Sequence, residues 1–421
     1  MGRAGTVTLD EPRSPIASSE IRVNSLQKTD AQWMRLALRL ARRGYGRTSP
    51  NPMVGAVLVK GDRVIGQGWH RRAGEPHAEI EALRHAQRKG HEPRGATLYV
   101  TLEPCCTRGR TPPCTDAIRA AGVKRVVVGA TDPNPRHRGR AFRVLRRARI
   151  SVATGVLADE CAELNEVFNH WIRHRTPFVT VKSAMTLDGK IATASGESKW
   201  ITSAQARAHA LKLRAGADAV LVGVNTVLAD DPRLTLRGRR SATGGRRPER
   251  QPLRMVVDSK ARTPLTAKVV TDEFAAFTTV VVTKAAPANR VAALAKKVRV
   301  WMAPVAIVAR AVLGLPRQRG ANTAARPGRV DLRWLLDRLG AEDITHLLVE
   351  GGGEVNASFL LERLAHRVAF FYAPKILGGR DARKAVGGVG VKRLEEIIRL
   401  RDVRWRRLGP DLLLTARVAG T

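Results

Sequence analysis

The pattern His77-Ala78-Glu79, then Pro104-Cys105, then Pro113-Cys114 limits the folds open to this chain more than any other feature. A histidine, a glutamate two residues on, and two cysteines that each follow a proline form the H-x-E…P-C…C signature of zinc deaminases. To share one ion, an imidazole and two thiolates that are distant in sequence must converge, so the intervening chain has to return along a strand–turn–helix path. Three protein donors leave the fourth position of a tetrahedral ion to water, as in catalytic rather than structural sites. Water held in this way has its pKa lowered to about 7, which supplies a nucleophile near neutrality. Glu79 is not a donor to the metal. Its carboxylate is the group expected to carry protons from that water to a ring nitrogen and a departing amine. One Zn2+ per chain is expected.

The spacing departs from the common form, in which two residues separate the cysteines. Here Cys106-Thr107-Arg108-Gly109-Arg110-Thr111-Pro112-Pro113 must loop out and bring Cys114 back. Residues 97–101 read as a strand and 115–121 as a helix, the context the signature needs. Cys106 is an alternative donor, but Cys105 is the one that directly follows Pro104.

At 421 residues the chain has room for two or three domains. Its four cysteines give no disulfide framework, since three lie near the expected metal and Cys161 sits in an Ala/Glu/Leu helix as a packed thiol. That usage suits a reducing, cytoplasmic setting. No segment has the run of roughly 18–20 uncharged apolar residues that spans a bilayer; the longest candidate, 301–315, is broken by Pro304 and Arg310. The formal charge of +37 invites a nucleic-acid reading. The arginines are scattered, however, and aromatics make up only 4 %, which leaves few platforms for stacking bases. Nucleic acid is therefore disfavoured as a partner, while a basic surface still attracts small phosphorylated molecules.

Residues 1–29 have no sustained apolar period and read as a disordered tail; Asp10, Glu11 and Glu20 argue against a transit peptide. Asp30 is expected to cap a helix with Met34, Ala37, Leu38 and Ala41 on one face. A hairpin of 54–60 and 63–69 follows across Gly61-Asp62, and an α/β alternation continues to about Gly155. The basic, aromatic stretch from His170 to Pro177 reads as a connector between a first unit, 30–172, and a second, 173–421. In the second unit, strands are expected at 178–183, 219–222, 254–257, 278–282 and 346–350, with a helix at 203–215. Two polar stretches, 237–251 and 315–329, read as surface insertions.

Three clusters in the second unit carry chemistry. Gly351-Gly352-Gly353 lies between an apolar strand ending at Glu350 and a helix, and such a turn presents free N–H groups to phosphate. Asp230-Asp231-Pro232 makes a rigid polar corner after a strand. Gly196-Glu197-Ser198-Lys199-Trp200 offers a hydroxyl and a flat indole. By themselves these suggest a phosphate- or nucleotide-binding α/β domain.

Taken in order, the clusters resemble the bifunctional deaminase/reductase family of riboflavin biosynthesis, over roughly residues 30 to 415. The resemblance is carried by Asn51-Pro52-Met53-Val54-Gly55, Ala73-Gly74-Glu75-Pro76-His77-Ala78-Glu79, Thr101-Leu102-Glu103-Pro104-Cys105 and Gly109-Arg110-Thr111-Pro112-Pro113-Cys114. Asp132-Pro133-Asn134-Pro135, Leu187-Asp188-Gly189, Ser195 to Thr202, Leu228 to Pro232 and Val349-Glu350-Gly351-Gly352 complete it. The Gly-Arg-Thr-Pro-Pro-Cys string accounts for the long cysteine spacing.

The resemblance implies an α/β protein with a cytidine-deaminase-like domain followed by a dihydrofolate-reductase-like domain. The first would remove the 2-amino group of 2,5-diamino-6-(5-phosphoribosylamino)pyrimidin-4(3H)-one, and the second would use NADPH to reduce ribosyl to ribityl. It implies phosphorylated pyrimidine substrates and a homo-oligomer with no membrane role. In the deaminase, Asn51, His70, Arg110, Asp132 and Asn134 would line the substrate site. In the reductase, Ala184, Trp200, Thr226, Asp230, Gly352 and Gly353 would contact NADPH, and Ser198, Arg214, Leu234, Arg237 and Glu350 the substrate. One departure stands out: family members commonly carry a histidine two residues after the first ligand cysteine, where this chain has Thr107. A base-editing protein that merely retains a zinc module would have no need of the clusters around Asp230 and Gly352.

Overall fold

The computed structural model describes residues 29–108, 112–236, 250–306 and 328–420. Arg110, Arg237, nearly all of the expected tail and most of the two expected insertions lie outside them.

Two sheets organise the chain. In the first half the elements are α1 (Asp30–Ala41), β1 (Gly55–Lys60), β2 (Arg63–Trp69), α2 (Ala78–Arg88), β3 (Thr97–Leu102), α3 (Cys114–Ala120), β4 (Arg125–Ala130), α4 (Arg140–Arg147), β5 (Ser151–Thr154), α5 (Ala158–Leu164) and α6 (Glu166–His174). Their five-stranded sheet has the order β2-β1-β3-β4-β5, antiparallel at the hairpin and parallel from β3 onward. Alternate residues of its strands feed different cores. Leu58, Leu98, Val100, Val126 and Val128 pack with α2, while Val57, Val59, Tyr99 and Val127 pack with α1 and Cys161. This is the period of two that a sheet covered on both faces requires. Gly68 lets α2 lie close to β2, for a Cβ there would meet the Ala78 carbonyl at 2.5 Å.

Helix α1 starts one residue earlier than expected. Thr29, not Asp30, is the cap, and its N–H donates to Gln32 Oε1 at 2.9 Å. Asp30 is the first helical residue. Its carboxylate accepts from both Arg125 terminal nitrogens, at 2.9 and 2.7 Å, and from Tyr99 at 2.8 Å, which ties α1 to β3 and β4.

The second half contains β6 (Phe178–Thr186), β7 (Lys190–Ala192), α7 (Ala204–Ala215), β8 (Ala219–Gly223), α8 (Val224–Asp230), β9 (Leu253–Val257), α9 (Lys268–Thr271), β10 (Thr278–Thr283), α10 (Ala288–Ala295) and β11 (Arg299–Ala303). Then follow α11 (Leu332–Ala341), β12 (His346–Val349), α12 (Gly353–Leu361), β13 (Arg367–Ala373), β14 (Arg383–Lys384), β15 (Leu400–Leu408) and β16 (Asp411–Val418). The nine-stranded sheet runs β11-β10-β9-β8-β12-β6-β13-β16-β15, parallel except at the C-terminal hairpin. Its β-branched strands again split between two cores, one around Val179, Leu221, Leu347 and Val349 and one around Val220, Val222, Val256 and Leu348. Among the described residues no apolar cluster mixes the two halves.

The expected connector at 170–177 is instead mostly helix, because α6 continues to His174 with Trp171 buried on its inner face. Polar contacts join the halves here. Glu166 pairs with Arg367 and Arg417, and Glu163 with Arg404. Asp218 is buried and accepts from the Ser49 hydroxyl at 2.8 Å and from the Thr345 N–H at 2.8 Å. His170 packs its ring 4.1 Å from that of His366, whose Nδ1 accepts the Val179 N–H at 2.9 Å.

Burial keeps both imidazoles neutral. It lowers His366 to about 3 and His170 to about 4, against an ordinary value of 6.5. The unfolded chain therefore takes up protons at higher pH than the folded one. The junction contributes fully above about pH 6.5, and its contribution is lost as pH falls toward 4. The thermal midpoint should drop over that interval. His366→Asn, whose amide oxygen can accept the same N–H, should drop less; equal slopes in pH-dependent calorimetry would exclude His366 as the cause.

Candidate deaminase and reductase sites

In the first half two helix starts and one strand end meet. His77 is the cap of α2, Cys114 the first residue of α3, and Cys105 follows β3. His77 Nδ1 lies 3.5 Å from Cys105 Sγ and 3.3 Å from Cys114 Sγ, and the three donor atoms all fall within 4.8 Å of one another. Cys106 is not in this group. The Cys114 N–H donates to Cys105 Sγ at 3.2 Å, so the free amides of α3 favour a thiolate at Cys105. The hydrogen bond from Cys114, together with that from His77, lowers Cys105 to about 4, while the same bond to Cys105 and burial raise Cys114. An imidazole beside two sulfurs, one of them drawn toward the thiolate, is a donor set that suits Zn2+.

Glu79 is the second residue of α2, in its first turn, and is only 3 % exposed. Burial raises its pKa against the pull of His77. His70 is buried next to the cluster, its ring 5.4 Å from that of His77, and burial lowers its pKa. His70 Nδ1 lies 3.2 Å from the Pro76 carbonyl and Nε2 lies 3.2 Å from Asn51 Nδ2. Asp132 and Asn134 follow β4, where Asp132 Oδ1 accepts the Asn134 N–H at 2.8 Å. Thr107 is 3.4 Å from His137 Nδ1, so an imidazole from this second loop lies beside the position at which the family commonly has one.

In the second half Ser198, Thr226, Asp230, Gly352 and Gly353 line one cavity of about 490 Å³. The Ser198 hydroxyl donates to Asp230 at 2.9 Å. Trp200 and Ala184 do not line this cavity. Trp200 is 64 % exposed with the Arg207 guanidinium 4.4 Å from its ring, and Ala184 is a half-buried residue of β6. Gly352 caps α12 with φ −71° and ψ 175°, which any residue adopts, and an added Cβ would meet only the Thr226 hydroxyl at 3.7 Å. The fold itself therefore does not require glycine at this position, which opens the free amides of α12 to the cavity. At Gly353 an added Cβ would lie 2.2 Å from the Lys384 carbonyl, so this glycine serves packing.

Arg214 and Glu350 form a half-buried bidentate pair, with both bonds at 2.9 Å. Burial alone would raise Glu350, but Arg214 and then Lys182 outweigh it and hold the carboxyl at about 2. Leu234 is buried with φ +53°, and its side chain joins the core. Residue-by-residue reading missed Lys182, whose signal was a lone cation inside an apolar strand. It also missed Arg383 and Lys384, which line the cavity from a strand brought in by long-range pairing with β7.

A three-donor cluster with a buried glutamate, joined to a second sheet with a glycine-lined cavity, defines a zinc-type deaminase fused to a reductase. Residues 27–130 match the cytidine and deoxycytidylate deaminase zinc-binding region, and residues 177–414 match the RibD C-terminal domain. The chain is 43 % identical to the riboflavin biosynthesis protein RibD of Aquifex aeolicus, covering 92 % of this chain and 98 % of that one. It is 39 % identical to the Escherichia coli RibD, covering 91 % and 98 %. The solved Acinetobacter baumannii RibD superposes with a TM-score of 0.75 at 35 % identity, covering 93 % and 99 %. A Thermotoga maritima structure described as a diaminohydroxyphosphoribosylaminopyrimidine deaminase/5-amino-6-(5-phosphoribosylamino)uracil reductase does so at 0.72 and 34 % identity, covering 93 % and 99 %. The chain belongs to the RibD family. It is a bifunctional deaminase and reductase of riboflavin biosynthesis, using zinc in the first activity and NADPH in the second.

Cys105→Ser and Cys114→Ser should each lose zinc by elemental analysis while Cys106→Ser keeps it; full retention in either of the first two removes that residue from the site. Gly352→Val should fold normally and raise the KM for NADPH by about tenfold or more through lost phosphate contacts. Gly353→Val should instead lower the thermal midpoint, and a reversed pattern would contradict this division of roles.

Proposed function

We propose that residues 30–172 hydrolyse 2,5-diamino-6-(5-phosphoribosylamino)pyrimidin-4(3H)-one and that residues 173–421 reduce the resulting 5-amino-6-(5-phosphoribosylamino)uracil with NADPH. The observation that carries this is the His77–Cys105–Cys114 cluster with Glu79 buried beside it, in one chain with the Gly352 cavity. The name printed for the Thermotoga maritima relative supports the choice of substrates.

In the deaminase, His77, Cys105 and Cys114 hold zinc, which when bound supplies Lewis acidity toward water. Glu79 takes a proton from the attacking water and delivers it to the leaving amine, so that water oxygen is added to the ring carbon and ammonia departs. Its raised pKa brings it nearer to the working pH, as a group that both accepts and donates requires. Asn51, His70, Asp132 and Asn134, with Arg110, orient the pyrimidine and its phosphoribosyl arm. A neutral His70 bonded to Asn51 suits an uncharged ring.

In the reductase, NADPH supplies hydride and the protein positions the reactants. Thr226, Asp230 and Gly352 contact the cofactor in the cavity, Gly353 lets the α12 start pack there, and Trp200 and Ala184 lie outside the cavity lining. Ser198, Arg214, Leu234, Arg237 and Glu350 contact the substrate. Because Arg214 and Lys182 keep Glu350 ionised, it accepts hydrogen bonds from the substrate at neutral pH rather than donating a proton.

We place the enzyme in the cytoplasm, a reading supported by four free cysteines; no helix among the described residues is long and apolar enough to cross a membrane. We also read it as a homo-oligomer, supported by exposed apolar side chains at Ile376, Val389, Leu394 and Trp405.

Glu79→Gln should slow ammonia release by about 10²–10⁴, the range for a general acid–base group. Zinc should stay bound, and NADPH-dependent reduction of supplied uracil intermediate should continue. Ammonia release near the wild-type rate would mean that another group moves the proton.

A further inference from the structure

Glu103 follows β3, two residues before Cys105, and is only 5 % exposed. A carboxylate buried to this degree is tolerated only with hydrogen-bond donors around it. Its donors are three backbone amides of one distant segment. Oε2 accepts from the Asp132 N–H at 3.1 Å and the Gly139 N–H at 2.9 Å, and Oε1 accepts from the Ala141 N–H at 3.1 Å. One side chain thus grips both ends of the loop between β4 and α4.

Each end explains why a carboxylate is used. Helix α4 has no side-chain cap of its own, because its cap position is Gly139 at φ +72°. Glu103 supplies that cap from another strand and places a negative charge at the positive end of the helix. At the other end it fixes Asp132, whose own carboxylate turns inward to the Asn134 N–H, while Asn134 Oδ1 accepts the Arg136 N–H at 3.1 Å. Those local bonds shape the loop but do not set its distance from the metal donors. Glu103 sets it, since its backbone N–H donates to the Ala130 carbonyl at 2.9 Å and Cys105 comes next but one in the chain.

We propose that Glu103 is a positioning residue of the deaminase: it holds the Asp132–Asn134 loop in register with the His77–Cys105–Cys114 cluster and thereby sets substrate affinity without touching substrate. This rests on Asp132 and Asn134 being substrate contacts. Glu103→Gln keeps the shape but leaves one acceptor oxygen and turns an N–H group toward other N–H groups. Losing a buried charged acceptor typically changes an equilibrium by about tenfold or more.

The variant should keep one zinc per chain and unchanged NADPH-dependent reduction. Its KM for the diaminopyrimidine substrate should rise about tenfold with kcat reduced by less than about threefold. Amide exchange at Asp132, Gly139 and Ala141 should accelerate, while amides within β4 keep their protection. If Glu103→Gln does not fold, Glu103→Asp, which keeps the charge but is one methylene shorter, is measured for the same pattern. Unchanged exchange at the three amides overturns the tether itself. Faster exchange with unchanged KM removes Asp132 and Asn134 from the substrate site, which overturns the reading beneath the proposal. Loss of zinc with kcat and KM falling together makes Glu103 part of the metal scaffold instead.

Discussion

An α-helix begins with free N–H groups and a partial positive charge, and both halves of this protein build their chemistry at such beginnings. Cys114 opens α3, and its amide bonds to the Cys105 sulfur. The Thr115 amide adds a bond to the Cys105 carbonyl at 3.2 Å. His77 caps α2 and therefore leaves the helix axis at the point where α2 meets the sulfurs. In the second half Gly352 caps α12 and opens its amides to the cavity. Thiolates and phosphates are both anionic, so the backbone feature that faces the Cys105 sulfur is one that also suits phosphate. The parallel strands then matter because they deliver each loop to the edge where the helices start.

The halves have separate apolar cores but share a polar frame. Ser49, two residues before Asn51, reaches Asp218, and Asp218 follows Arg214 by four residues. Arg214 in turn pairs with Glu350 at the reductase site. Tyr45 packs against Gly216, where an added Cβ would meet its hydroxyl at 2.1 Å, so the turn between Arg214 and Asp218 is shaped by the first half. The Ser49–Asn51 turn of the first half and the Arg214–Glu350 pair of the second are thus referred to one buried carboxylate. Asp218 satisfies its charge with donors from the two halves, and cutting the chain at the junction would leave it and Glu166 short of partners.

Much of this was legible in the sequence, for identifiable reasons. The β-branched runs at 219–222 and 278–282 are buried on both faces, so they carry their signal without help from context. The zinc pattern was legible because metal donors are few in kind and rigid in spacing. The C-terminal hairpin was not: β15 reads Leu-Arg-Asp-Val-Arg-Trp-Arg-Arg-Leu and is almost wholly exposed at the sheet edge, so no apolar alternation marks it. Helix α6 was mistaken for a connector because its charged residues hide an inner face represented by one buried tryptophan. Leu234 was read from its motif as a substrate contact, but the motif could not say that its side chain is buried in the core.

The net charge of +37 takes on a different meaning once the acids are located. Several buried or half-buried carboxylates hold cations inside the fold: Asp272 with Arg254, Glu350 with Arg214 and Lys182, Glu166 with Arg367 and Arg417, and Asp30 with Arg125. Arg254 is among the largest fully buried side chains and also donates to the Arg233 carbonyl at 2.9 Å, which braces the backbone next to Leu234. These arginines act as interior struts, with planar forks that satisfy a carboxylate and a carbonyl together. The cations left on the surface outnumber the acids and create a positive field with a reach of about 8–10 Å at physiological salt. Such a field does not select a sequence of bases, but a field of this sign attracts small anions in general. Part of the arginine excess therefore serves the interior of the fold.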